Sequence, residues 1–225
     1  MQNWHLIFGI FIISSPILFA MIAFPDSIAW SWNEGRGGYF FALVFVVAEL
    51  IGLKIVISKK RLMAVIPLAL VTISYLLSLE FGLREYIIES APQFDVQLIY
   101  SWTWMWDFVI MSIFIVAALT IFFGKRWIRI APAGPIFLTG TAIILSLDAF
   151  FPYDTLGPLQ YVVPYFVQAN VWIISLLDIG TAVARDNIMF LRGDHGSMAL
   201  QVFWPSAGVH SIIIFSLVIG AFMLK

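Results

Sequence analysis

The sequence predicts an all-α integral membrane protein with about six transmembrane helices, one interfacial or re-entrant helix and a small external β-hairpin. All of these fall in a single polytopic membrane domain covering residues 1–225. Three observations predict this fold. Hydrophobic residues make up 62% of the chain and charged residues 11%, against about 45–50% and about 25% in soluble domains, so there is too little polar surface to clothe a water-soluble globule. The apolar runs are long enough to cross the ~30 Å hydrocarbon layer of a bilayer. Basic residues gather in alternate loops, as the positive-inside rule requires of cytoplasmic ones.

The mean hydropathy of +0.99 agrees with that class. A net charge of -1 and a pI near 6.3 leave no basic field for nucleic acid, so no such partner is expected. The chain has no cysteine, which excludes disulfides, thiolate metal sites and a cysteine nucleophile in this sequence. Three scattered histidines with no H-x-x-x-H helix pair give no ligand set, so neither metal nor cofactor is expected.

The first apolar run, residues 4–24, lacks a basic leading segment and exceeds the usual 7–15-residue core of a secretory signal, so it reads as a retained helix. Runs at 39–57, 63–82, 102–123 and 135–151 follow, each bounded by charge, Gly or Pro. Lys59, Lys60 and Arg61 follow the second run, and Lys125, Arg126 and Arg129 follow the fourth, which places both loops in the cytoplasm. The opposite loops carry Asp26, Glu34 and a single Arg36, then Arg84 against Glu85, Glu89 and Asp95. The N-terminus is therefore expected on the cytoplasmic face of the cell membrane, and the fifth run exits near Phe151 into an outside loop, Pro152–Pro158.

The sixth run, Tyr161–Val183, is long enough to span but holds Pro164, Gln168, Asn170 and Asp178. An Asp at the centre of a span costs about 2.5–3.5 kcal/mol, so this run reads as an interfacial or re-entrant helix. Residues 184–204 then lie outside, and the last run, 207–224, returns to end on Lys225 in the cytoplasm. A seven-span alternative puts Lys225 outside and Arg185 and Arg192 inside. Ile188–Leu191 and Leu200–Phe203 flank a polar turn with Gly193 and Gly196, which predicts the external hairpin.

Polar residues within the runs are Glu49 and Lys54, Glu80 with Arg84, Asp107 and Asp148. Glu80 and Arg84 stand four apart and are expected to pair. Asp107 and Asp148 fall near span ends, where they are expected to reach headgroups. Trp102, Trp104 and Trp106 read as an aromatic belt.

The stretch Trp204-Pro205-Ser206-Ala207-Gly208-Val209-His210-Ser211 opens an apolar helix at the expected outer boundary. Helix starts offer free N–H groups and a positive dipole end that stabilise an anionic nucleophile or oxyanion. Ser206 is the candidate nucleophile, and the plain alternative is an N-cap serine beside a packing glycine. His210, one turn on, is a candidate base, as is His195 in the hairpin turn.

On these residues the chain resembles the exosortase/archaeosortase family of membrane transpeptidase-like sorting enzymes, over roughly residues 135–220. The resemblance rests on the Pro-containing loop (Pro152, Pro158), a helix ending in Leu177-Asp178-Ile179-Gly180-Thr181-Ala182-Val183, an Arg185-Asp186-Asn187-Ile188 turn leading to an apolar strand, a second strand, and Pro-Ser-Ala-Gly-Val-His-Ser-Ile. It implies that Ser206 takes the place of the family's nucleophilic cysteine, with Gly208 and Ser211 matching and His210 at a polar position. It also implies an oxyanion hole from N–H groups near Ala207 and Gly208, and a substrate-guiding 185–204 segment that includes Arg185 and Asn187. The implied partners are the C-terminal sorting-signal helix of an exported protein and a lipid or envelope acceptor. A serine hydroxyl needs an adjacent base where a thiol is partly ionised near neutrality, so Ser206 is either an introduced replacement or a natural serine variant. The family's catalytic Arg and His further on have no matching positions before Lys225, which suggests a truncated chain and leaves a second reading, a catalytically inactive membrane subunit or scaffold. A retinal photoreceptor is excluded because residues 209–224 contain no lysine.

Overall fold

The computed structural model describes residues 4–28, 35–51, 53, 55–151, 160–178, 180–193, 196–204 and 209–223, with Val209 and His210 described by their helical backbone. Along the chain run α1 (Trp4–Ala23), α2 (Gly38–Leu50), α3 (Lys59–Ser78), α4 (Leu83–Ser90), α5 (Ile99–Phe123), α6 (Trp127–Ile130), α7 (Ala133–Phe150) and α8 (Val163–Leu176). They are followed by β1 (Thr181–Arg185), β2 (Ile188–Gly193), β3 (Gly196–Gln201) and α9 (Val209–Met223). Two units result, one of residues 1–149 with 214–225 and one of residues 150–213.

Among the described residues, four helices are long and apolar enough to cross a membrane: Trp4–Ala23, Lys59–Phe81, Ile99–Ile130 and Ala133–Phe150. The other two runs expected to span form shorter apolar helices, Gly38–Leu50 and Ser211–Met223. The second run divides because Ile51, at ψ 133, leaves the helix for extended backbone. In the first unit α1 packs on α2 and α3, and α3 packs on α5.

Chain ends of the helices are tied by side chains. Ser58 caps α3 by accepting from the Arg61 N–H at 3.4 Å, and the Arg61 guanidinium donates to the Phe122 carbonyl at 2.7 Å. That places a cation on an orphan carbonyl at the negative end of α5. The reverse arrangement starts α7, where a Glu49 carboxylate oxygen accepts from the Ala133 N–H at 2.9 Å. Glu49 comes from α2, whose backbone meets α7 at Gly134. A Cβ there would lie 2.3 Å from Val46 Cγ2 and 3.2 Å from the Ala42 carbonyl, so only glycine lets these helices approach so closely.

The tryptophan reading needs correction. Trp102 is buried and donates from its indole to the Ile87 carbonyl at 3.1 Å, and its ring stands against Phe94 and Trp106. Residues two apart on a helix point in nearly opposite directions, so three alternate tryptophans cannot share one lipid-facing belt. Asp148 is also corrected. It is 1% exposed, accepts a hydrogen bond from Ser101, and does not reach outward to headgroups.

Candidate functional site

The second unit, residues 150–213, carries the segment that the sequence singled out. Gln160–Val162 forms a 3-10 turn, and Pro164 occupies the first turn of α8, where its missing N–H costs nothing. With 14 residues α8 is about 21 Å long, shorter than a span. Of its residues only Val163 and Val167 are buried. The sixth run does not continue as helix to Val183. Asp178 adopts φ 53 and the chain turns into β1. Gly180 permits the turn, because a Cβ there would stand 2.9 Å from the Arg192 carbonyl oxygen.

The expected hairpin is present as part of a three-stranded antiparallel sheet in the order β1-β2-β3. Gly193 faces Gly196 across its β2–β3 end, and Gly196 alone of the two adopts positive φ, at 135. The added strand, β1, joins β2 through the two-residue turn Asp186–Asn187 with Asp186 at φ 52. Thr181-Ala182-Val183 is apolar and carries β-branched residues, so hydropathy alone left it on the helix. The Asp-Asn pair beyond it is the signal that would have separated it. α8 packs against β1.

Arg185 ends β1 with an exposed side chain, opposite Ile188. Asn187 lies in the turn and its carbonyl accepts from the Val202 N–H at 2.7 Å, which carries the β2–β3 pairing one residue past the strand. Beyond it Trp204 is 1% exposed. Its N–H donates to the Gln160 side-chain oxygen at 3.0 Å, and its indole donates to the Phe151 carbonyl at 2.9 Å. The residue just before the serine motif is thus held by two points of the chain that precede α8. Gln160 was missed in the sequence, where it stands one residue ahead of the apolar run that begins at Tyr161. His210 is the second residue of α9. Ser206, Ala207, Gly208 and His195 lie outside the described residues.

A second polar constellation lies in the first unit. Asp107 accepts from Arg84 at 2.7 Å and from Arg36 Nε at 3.3 Å on one oxygen, and from the Tyr75 hydroxyl at 2.7 Å on the other. Its side chain is fully buried, with Arg36 3% and Arg84 19% exposed. The expected reach of Asp107 toward headgroups is therefore wrong, because two guanidiniums and a phenol draw it inward. Arg84 pairs with this carboxylate and not with Glu80, which is exposed. Sequence spacing favoured the local i, i+4 partner and carries no signal for one 23 residues away.

Comparison of the chain with protein-family models, with curated proteins and with solved structures yields no match.

Proposed function

We propose that this chain is a multi-pass membrane protein, N-terminus cytoplasmic, that recognises and cleaves C-terminal sorting signals of exported proteins by acyl transfer, as exosortases and archaeosortases do. Four helices of spanning length support the membrane setting, as do Ile22, Phe81 and Met223, each more than four-fifths exposed. Such apolar surface is unfavourable in water and favourable in lipid. The observation that carries the enzymatic reading is the anchorage of Trp204. A short helix, a sheet against it and a buried tryptophan define the chain's course up to Trp204, at the head of the serine motif.

In this reading Ser206 Oγ attacks the scissile carbonyl and its proton passes to a base, with His210 or His195 as candidates. The C–N bond breaks and the amine leaves with that proton; a hydroxyl or amine of a lipid or envelope acceptor then attacks the ester, the Oγ–C bond breaks, and the acceptor's proton returns through the base to Ser206 Oγ. N–H groups at Ala207 and Gly208 stabilise the oxyanion, and Arg185 and Asn187 guide the peptide. The test is incubation of membranes with a tagged sorting-signal substrate. A denaturation-stable, alkali-labile adduct absent from Ser206→Ala supports the reading, and unchanged processing by Ser206→Ala removes it. Substrate retained with no adduct and no cleavage in either protein favours the inactive scaffold.

A further inference from the structure

The cluster around Asp107 holds more positive charge than it neutralises. Two guanidiniums face one carboxylate within salt-bridge distance, and among the described residues no second acid pairs with either arginine. Glu80, Glu85, Glu89 and Asp95 are exposed. A partly buried charge left without a counter-ion is costly, and the described residues offer one carboxylate to these two guanidiniums.

The lining suits an added anion. Both arginines lie over the Trp104 ring, at 5.4 Å for Arg36 and 4.9 Å for Arg84, and Arg36 also lies over Phe24 at 4.8 Å. These contacts orient the planar groups. Arg84 spends one N–H on Asp107 and one on the Thr103 carbonyl, which leaves three of a guanidinium's five donors without partners among the described residues. It is also the more exposed arginine of the two. The Tyr39 hydroxyl, fully buried and without a hydrogen-bond partner among the described residues, lies in the field of the same charges. These groups come from the residue after α1 (Phe24), the chain that leads into α2 and its first turn (Arg36, Tyr39), the start of α4 (Arg84) and the first half of α5 (Thr103, Trp104, Asp107). Asp107 lies about 12 Å along α5, a helix about 37 Å long, against ~30 Å of hydrocarbon. With α5 centred on the bilayer, Asp107 sits roughly 8 Å below the headgroup layer, and the partly exposed Arg84 is the group that a headgroup phosphate can reach.

We propose that Arg84 and Arg36 form a binding site for a phosphate-type anion, supplied either by a lipid phosphodiester or by free phosphate. The forked donors of arginine match the tetrahedral oxyanion. The lipid source rests on the membrane reading above. The experiment purifies the full chain in a phosphate-free detergent and counts bound phosphatidylglycerol by native mass spectrometry, with a parallel titration of inorganic phosphate. Arg84→Gln is expected to weaken binding at least about tenfold, the loss of a charge-assisted hydrogen bond. Arg126→Gln, at the opposite end of α5, leaves it unchanged. Asp107→Asn removes the internal competitor and tightens it. Saturation by inorganic phosphate with the same dependence on Arg84 assigns the free anion as ligand; binding of lipid alone assigns the headgroup. Equal lipid loss in Arg84→Gln and Arg126→Gln, or no loss in either, overturns the site. If Arg84→Gln does not accumulate, Arg84→Lys keeps the charge without the fork and is expected to weaken binding several-fold; unchanged binding then overturns the proposal. Carbonate extraction of the same membranes separates the two failures, since a chain that washes out overturns the membrane reading instead.

Discussion

Asp107 is where three separate stretches of the first unit meet, since its two oxygens hold Arg36, Arg84 and Tyr75. Removing it leaves a nearly buried guanidinium at Arg36 with no carboxylate. Breaking a buried pair from one side costs about 3–5 kcal/mol, and the partial exposure of Arg84 places the expected loss at the lower end. Asp107→Ala should therefore unfold at clearly lower temperature in detergent, followed by helical circular dichroism. An unchanged midpoint would mean that the cluster contributes nothing to the fold. Such a residue was only half legible. An acid in an apolar run is a visible anomaly, but its partners are distant in sequence and its burial depends on them.

At the scale of elements, α2 and α7 approach closely where Gly134 meets Val46 and Ala42. Gly134→Ala forces a methyl into occupied space, and overpacking of this kind costs roughly 1–3 kcal/mol. Val46→Ala in the same chain vacates the nearer atom and should restore much of the loss. A double-mutant cycle on thermal midpoints reads the coupling, and additive effects would deny the contact. The helices themselves were legible from hydropathy: α1, α3, α5 and α7 fall close to their predicted runs because apolar length is a property of the local sequence. The end of α2 and the end of α8 were not, since the apolar runs continue past both and the glycines just beyond them, Gly52 and Gly180, do not interrupt the hydropathy. β1 was hidden for the same reason, because its pairing with β2 is a tertiary fact. The serine motif was the clearest feature of the sequence, yet the structure adds only its upstream anchor, Trp204.

For the molecule as a whole, the proposed orientation follows from the placing of its basic loops, and the absence of cysteine makes it directly testable. Single substitutions Lys60→Cys and Lys125→Cys should react with an impermeant maleimide only after the membrane is opened. Glu85→Cys should react in intact cells. The opposite pattern would invert the protein and move α4 and the Arg84 neighbourhood to the inner face. With the N-terminus kept in the cytoplasm, a chain that crossed only through α1, α3, α5 and α7 would give the reverse pattern, so the labelling reads orientation and the crossing of α2 together.

Arg36 also closes on Ser27, its N–H donating to the Ser27 carbonyl at 2.7 Å and its guanidinium to the Ser27 hydroxyl at 2.6 Å. The chain between these two residues is therefore stapled at its base. Lengthening a closed loop costs only ~0.6 kcal/mol for each doubling, so a few residues added between Ser27 and Arg36 should leave the thermal midpoint nearly unchanged. The tie between Ser27 and Arg36, not the number of residues between them, then fixes how the chain enters α2.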